Sequence, residues 1–520
     1  MAIFNHSHRL GRKFLFAIFY LAAISSSWAQ SKKNLVHPNI ILFLVDDMGW
    51  MDTSQPFGDS VMSLNKIYQT PNIERLAKEG MLFSRAYVNP VCTPTRTSLI
   101  TGIHAARTRI TNWTNTDYNK STDYPDSLLQ TPEWNKNGLS PVSALNTFVA
   151  TPLPQLLQEA GYHTIHVGKA HWGSQGTPGS DPLNMGFVTN ISGSSIGNPQ
   201  NFYGKENFGN IPGKTTAWAV DGLQEFHGKD IYLTEALTKK AIQCMQHPIK
   251  EQKPFFLYLG HYAVHTPIQP DQKYVAKYLA MGLDKTEAAY ASMVEGVDHS
   301  LGEIMDFLEA QNLSGNTIII FMSDNGGLSN AGRGGVRNTH NLPLRAGKGS
   351  VYEGGIRVPL IVKWEGVAKP GSKTSSVVRG EDFFSTVLEM ANVKDVQTSV
   401  KRDGKSYLSV VKDPLKQVEE RPVIIHYPHR WTTSEDEGIA WTSGLVLGDW
   451  KLVYLMKKKK LELYNLKEDI GERNDLAKIN LTQLAKMAKI LGNELRDRHA
   501  QMPTWKEGGG RVLWPDEILN

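Results

Sequence analysis

The stretch Asn39-Ile-Ile-Leu-Phe-Leu-Val45 carries no charge and stops abruptly at Asp46 and Asp47. A short, unbroken apolar run of this kind reads as a buried strand. Further strands are read at Phe255 to Leu259, Thr317 to Met322 and Val358 to Lys363, and another, His163 to Val167, follows Gly161. Between them lie stretches with helical character. Pro71 to Gly80 has Thr70 as its cap, Pro71 at its first position and Gly80 at its end. Pro94 to Thr101, Pro152 to Ala160, about Thr286 to Gln311, and Glu381 to Met390 follow. Strands alternating with helices predict an α/β sheet.

A second region is expected from about residue 400. Val423 to Tyr427 and Gly444 to Tyr454 read as strands, with Gly448-Asp449 as a turn. Leu463 to Asn474 reads as a loop and Leu481 to His499 as an amphipathic helix. The expected division is residues 36–400 as a main domain and 401–520 as a smaller α+β subdomain. Lys457 to Lys460 is expected to be a solvated hairpin turn. Two polar stretches, Asn115 to Asn146 and Ser174 to Thr216, are too long for ordinary connections and are expected to border a site.

Residues 1–29 have the form of a secretory signal. Arg9, Arg12 and Lys13 precede the apolar run Phe14 to Ile24, and Ser27-Trp28-Ala29 fits a small-x-small cleavage site. The expected location is therefore periplasmic or secreted, with no stable membrane span. The formal charge of +5 falls to +2 without these residues, which gives no argument for nucleic acid. With only Cys92 and Cys244, the exported chain is not disulfide-built. Cys244, in the helix-like stretch Ile231 to Gln246, reads as core.

Asp46 and Asp47 fall at the carboxyl end of the first strand, where ligands bind in such sheets. Adjacent carboxylates repel unless a cation neutralises them. Ser323-Asp324-Asn325-Gly326-Gly327 stands at the end of another strand. Three carboxylates and an amide oxygen can thus surround one point, a donor set that suits Ca²⁺ or Mg²⁺ better than Zn²⁺, with Ca²⁺ preferred. Gly168-Lys169-Ala170-His171-Trp172-Gly173 follows a third strand. Lys169 supplies a point charge and His171 a base near neutral pH.

Cys92-Thr93-Pro94-Thr95-Arg96, continued by Leu99-Ile100-Thr101-Gly102, resembles the activation motif of the formylglycine-dependent (type I) sulfatases. The two acidic segments look like that family's metal-binding segments. Gly168 to Gly173 is similar to its Gly-Lys-x-His-x-Gly segment. His265 in His261-Tyr-Ala-Val-His265-Thr-Pro267 and Lys348 in Arg345-Ala-Gly-Lys-Gly-Ser350 match its later histidine and second lysine, and the Leu-Tyr-Asn-Leu segment near Tyr464 resembles its C-terminal region. Thr95 stands where Ser or Ala is also common.

The resemblance implies an alkaline-phosphatase-like fold, with a large mixed sheet flanked by helices and a smaller C-terminal α+β subdomain. It implies that Cys92 is converted by a maturase to formylglycine, and that Asp46, Asp47, Asp324, Asn325 and an oxygen of modified Cys92 bind one calcium. It further implies that Lys169 and Lys348 clamp sulfate, Arg96 holds the nucleophile, His265 protonates the leaving alcohol and His171 takes the second proton. The implied activity is removal of sulfate from sulfated carbohydrate. Trp172, His426 and Arg430 are expected to bind that substrate, with Trp113, His429 and Trp431 as further contacts. The alternatives are a phosphatase, phosphodiesterase or phosphonate hydrolase of the same architecture, a non-catalytic sulfated-glycan-binding protein, and a cysteine hydrolase using Cys92.

Overall fold

The computed structural model describes residues 37–519, apart from 215, 330, 331, 395 and 433–435. The expected signal at 1–29 lies outside the described residues.

The main sheet is built from β1 (Asn39–Val45), β2 (Met81–Tyr87), β3 (His163–Gly168), β4 (Thr189–Ile191), β5 (Phe255–Gly260), β6 (Thr317–Ser323), β7 (Arg357–Lys363), β8 (Ser372–Thr374) and β9 (Val378–Arg379). Their spatial order is β8-β2-β7-β6-β1-β5-β3-β4, with β9 also paired to β2. Among the described strands of this sheet, only β7 runs against the rest. Its Pro359 has no N–H to give to the ladder, and the register with β2 shifts at that point, between Val358 and Leu360.

β1 lies at the centre, pairing β5 on one side and β6 on the other. Its residues alternate between two cores. Ile41, Phe43 and Val45 pack beneath α1 (Pro71–Glu79), α4 (Leu233–Lys250) and α5 (Lys285–Ala310). Ile40, Leu42 and Leu44 face α2 (Cys92–Thr101), α3 (Leu153–Glu159) and α6 (Asp382–Met390). Burial on both faces accounts for the unbroken apolar run, since neither face can carry a charge without a partner.

The second sheet contains β10 (Val423–Tyr427), β11 (Thr442–Leu447), β12 (Trp450–Leu455) and β13 (Lys460–Asn465), all antiparallel and in sequence order. One face packs against α7 (Leu481–Asp497) through Leu484, Met487, Leu491 and Leu495. The other packs against Tyr87, Val351, Tyr352 and Ile356 of the main body. The main core takes in residues as far as Val411, and the second sheet starts at Val423.

Several expectations need correcting. β2 was not anticipated, because Ser84 and Arg85 interrupt its apolar pattern; Arg85 is accommodated by hydrogen bonding the Gly448 carbonyl. β13 takes in the start of the expected loop at Leu463, its inward Glu462 being held by the Tyr352 and Tyr464 hydroxyls at 2.6 and 2.9 Å. Thr70 occupies the cap position of α1, but its hydroxyl accepts from Ser54 instead. The free amides of Asn72 and Ile73 are taken by the Asp298 carboxylate of α5, at 3.2 and 2.8 Å. Cys244 is only half-buried on α4.

Candidate active site

β1 and β6 run side by side in parallel, so Asp46–Asp47 and Asp324–Asn325 emerge together from the same edge of the sheet. The loop after β5 closes over them, with Asp46 and Ala263 joined by backbone hydrogen bonding and Val264 donating to the Asp46 carbonyl. Asp47 adopts φ 61°, in the left-handed region that a short polar side chain tolerates, and so turns its carboxylate toward Asn325.

Three carboxylates and three cations interlock here. Lys169 Nζ lies 2.7 Å from Asp46 Oδ2. Arg96 donates Nε to Asp324 Oδ2 at 2.7 Å and Nη1 to the Lys169 carbonyl at 2.8 Å, while its Nη2 lies 3.8 Å from Asp46 Oδ1. Lys348 Nζ lies 2.7 Å from Asp47 Oδ1, and Asn325 Nδ2 donates to that same oxygen at 2.8 Å. All of these side chains are buried. Lys348 is carried on a tight loop in which its own amide bonds the Gly327 carbonyl and that of Gly349 bonds Pro90. Gly349 has φ +85°, and a Cβ there would meet the Trp431 indole at 2.3 Å, so no larger residue fits.

The carboxylates do not share charge equally. Burial, reinforced by Asp324 and Asp47 against the pull of Lys169, raises Asp46 well above the usual carboxylate range. Asp47 is equally buried, but His265 and Lys348 overcome that cost and hold it low. For Asp324, Arg96 and Lys169 outweigh burial in the same way. Two oxygens of the cluster, Asp46 Oδ1 and Asn325 Oδ1, are buried without a hydrogen-bond partner. Unpartnered buried acceptors are costly, and a hard cation is what such oxygens suit. Ligand atoms of Asp46, Asp47 and His265 also lie within 4.8 Å of one another.

Cys92 opens α2 beside this cluster. Its sulfur lies 3.4 Å from His171 Nδ1, and Thr93 Oγ1 is 3.3 Å from the same nitrogen. His171 Nε2 faces the Thr114 carbonyl at 2.9 Å. A carbonyl only accepts, so Nε2 carries the proton and Nδ1 presents its lone pair to residue 92. Burial, followed by the Lys169 charge, holds His171 neutral. Burial also raises the Cys92 thiol above its ordinary range. The ring fits because residue 197 is glycine; a Cβ there would sit 2.6 Å from His171 Cε1. The polar stretch Ser174 to Thr216 thus borders the site. Half-buried His265 stands at the mouth, its side chain 15% exposed and its Nε2 3.6 Å from Asp47 Oδ2. Burial pushes it down to about 3, with Asp47 acting in the opposite direction.

Cys92, Arg96, Lys169, His171, His265, Lys348, Asp46, Asp47, Asp324 and Asn325 therefore come together. Of the three expected carbohydrate contacts, Trp172 and His426 are closed off in the interior, and Arg430 is engaged with residues outside the cluster. Trp172 is fully buried, stacked on Phe187 with its Nε1 donating to the Arg96 carbonyl at 3.2 Å, so no ring face is left for a sugar. His426 is buried with both ring nitrogens occupied, by Ser443 Oγ and the Gln501 carbonyl, each at 2.8 Å. Arg430 bonds the Pro125 carbonyl and lies 3.7 Å from Asp126. His429 is buried between Thr111 Oγ1 at 2.6 Å and Asp123 Oδ1 at 2.8 Å, and serves to join the Asn115 to Asn146 stretch to the second sheet. Half-buried Trp113 and Trp431 remain beside the cluster, one next to Thr114 and the other against Gly349. Sequence reading missed Thr93, Thr114 and Asp123. Thr114 acts through its backbone carbonyl, which leaves no side-chain signal.

A mixed sheet flanked by helices, with its ionic cluster at the carboxyl ends of the parallel strands, defines an alkaline-phosphatase-like hydrolase. The sulfatase family model matches residues 38–393, and that of the N-sulphoglucosamine sulphohydrolase C-terminal region matches residues 347–501. The chain belongs to the type I sulfatase family and is a sulfuric ester hydrolase. It is 30% identical over 552 residues to a sulfatase of Formosa agariphila, covering 96% of each chain. It is 32% identical to mouse N-acetylgalactosamine-6-sulfatase, across 75% of this chain and 68% of the mouse protein. The crystal structure of Ps i-CgsB superposes with a TM-score of 0.67 at 27% identity, over 89% of this chain and 93% of that one. The same protein has been solved in complex with k-i-k-neocarrahexaose.

Proposed function

We propose that the chain is an exported enzyme that removes sulfate from sulfated carbohydrate, with formylglycine made from Cys92 by a maturase and one bound calcium. The observation that carries this reading is the pair of orphaned buried oxygens, Asp46 Oδ1 and Asn325 Oδ1, beside a cysteine that faces a neutral histidine. The N-acetylgalactosamine-6-sulfatase similarity and the carrageenan oligosaccharide held by Ps i-CgsB support a carbohydrate ester. Export rests on the sequence of residues 1–29. Among the described residues no helix is long and apolar enough to cross a membrane.

Asp46, Asp47, Asp324 and Asn325 would hold the calcium, which as a Lewis acid draws electron density from a sulfate oxygen, while formylglycine supplies a hydrated aldehyde as oxygen nucleophile. Arg96, Lys169 and Lys348 already offset the three carboxylates, so a divalent cation would leave the site with an excess of positive charge. That excess favours an anionic ester. Lys169 and Lys348 stand on opposite carboxylates and are positioned to clamp sulfate oxygens. His171 Nδ1 is positioned to take a proton from residue 92, and the Thr114 carbonyl keeps the correct tautomer. His265 at the mouth is positioned to protonate the leaving alcohol; the negative charge of a bound ester offsets the burial that keeps it neutral.

Mass spectrometry of the Cys92 peptide, from protein made with a maturase, tests the nucleophile. The aldehyde or its hydrate is expected, and an unmodified thiol under those conditions overturns it. Sulfate release from sulfated oligosaccharides tests the substrate class, and absence of release from all of them rejects it.

A further inference from the structure

Asn341 is fully buried and belongs to none of the groups that meet in the catalytic cluster. Its Nδ2 donates to the Gly327 carbonyl and to the Ala346 carbonyl, each at 2.9 Å. Gly327 lies two residues beyond Asn325, and Ala346 lies two residues before Lys348. One carboxamide thus joins the chain leaving the acidic segment to the chain entering the second lysine. Both partners are carbonyls and only accept, which fixes the orientation of the amide. Its Oδ1 faces the other way and is buried without a hydrogen-bond partner.

Three glycines make room for this side chain. A Cβ on Gly347 would fall 2.7 Å from Asn341 Nδ2 and 2.3 Å from the Gly327 carbonyl oxygen. On Gly327 it would fall 2.7 Å from Oδ1, and on Gly49, two residues beyond Asp47, 2.4 Å from that oxygen. No side chain fits at such separations. All three segments that carry Asp47, Asn325 and Lys348 therefore abut the same carboxamide.

Ala346 adopts φ 62°, in the left-handed region. A residue with a Cβ stays there only where surrounding contacts impose it, and Asn341 provides one at the Ala346 carbonyl itself. The turn then delivers Lys348, whose amide bonds the Gly327 carbonyl at 3.0 Å and whose Nζ lies 2.7 Å from Asp47 Oδ1. A lysine stem is flexible, so a fixed ammonium requires a fixed backbone beneath it. We propose that Asn341 is a positioning residue for the sulfate clamp, holding the turn at Ala346 and so setting Lys348 against Asp47 without touching substrate. The inference deepens the role given to Lys348 above and rests on it.

The first arm of the test reads the lysine itself. Acetic anhydride labelling of the folded protein, followed by peptide mass spectrometry, should leave wild-type Lys348 nearly unreacted, because it is buried and paired with Asp47. Asn341→Ala is expected to raise that labelling about tenfold, with buried Lys169 and Lys451 unchanged. No rise at Lys348, or an equal rise at all three lysines, overturns the proposal; the second result marks a general loosening. The other arm is a double-mutant cycle on p-nitrophenyl sulfate. Asn341→Ala is expected to lower kcat/KM about a hundredfold in the wild-type background. With Lys348→Ala present the further loss should be less than about threefold, since the group being placed is gone. Equal losses in the two backgrounds, or no loss in the first, overturn the proposal. Wild-type kcat/KM in Lys348→Ala alone removes the clamp reading, and the labelling then decides whether Asn341 places the lysine. If Asn341→Ala does not fold, Asn341→Ser, whose hydroxyl keeps one of the two donors, takes its place in both arms.

Discussion

His171 Nδ1 faces Cys92 Sγ at 3.4 Å, while the opposite nitrogen of the same ring is tied to the Thr114 carbonyl. The tautomer is therefore set by the backbone, and the lone pair is directed at the residue expected to carry the nucleophile. Replacing Cys92 by alanine should lower sulfate release by about a thousandfold or more, since a nucleophile and its base act as a unit. Multiple-turnover activity near wild type would falsify the nucleophile assignment.

Unmodified Cys92 should be a poor thiol nucleophile. Burial raises it above its ordinary range, and Lys169 and Lys348 only partly counter that. Iodoacetamide at neutral pH should label half-buried Cys244 well ahead of Cys92 in folded protein. Rapid labelling of Cys92 with loss of activity would favour a cysteine hydrolase instead.

Calcium should raise the melting temperature of the wild-type protein. At a hundredfold excess over Kd, the linkage amounts to about 2.7 kcal/mol. Asp46→Asn and Asn325→Ala remove the two orphaned oxygens or their charge, and should lose most of that shift in a calorimetric titration. A full calcium shift in both variants would remove these residues from the site.

Lys451 on β12 is buried between Glu353 Oε1 and Glu472 Oε1, each 2.9 Å away, and so ties the second sheet to the main body. Lys451→Met strands two carboxylates in the interior and should cost about 3–5 kcal/mol by urea unfolding. Adding Glu472→Gln should recover part of the loss. A single variant as stable as wild type would show that the cluster is readily hydrated.

His426→Ala should change stability and not substrate affinity. Both ring nitrogens are engaged, and losing those bonds should cost about 1–3 kcal/mol. A raised KM at unchanged stability would return His426 to the substrate pocket.

The strands of the main sheet were legible where they are buried on both faces, because such a run leaves a continuous apolar signature. β1, β5, β6 and β7 announce themselves in this way. β2 and β13 do not, since Arg85 and Glu462 sit within them, satisfied by partners more than a hundred residues away, Gly448 for one and Tyr352 for the other. Much the same divides the site. Asp46, Asp324 and Lys169 are readable because strand ends point one way in a parallel sheet. The misreading of Trp172 has the opposite cause: it sits inside a matching motif, yet its indole turns into the core beneath Arg96.

Cys92 is 3% exposed, and its sulfur is enclosed by groups from other segments of the chain, His171 and Thr93 among them. β3 and the loop after it, which bring His171 into place, lie some eighty residues downstream of Cys92. For the conversion of Cys92 proposed above, a modifying enzyme would have to reach the side chain before the later strands are placed. The topology thus sets an order for that proposed step, ahead of completion of the sheet.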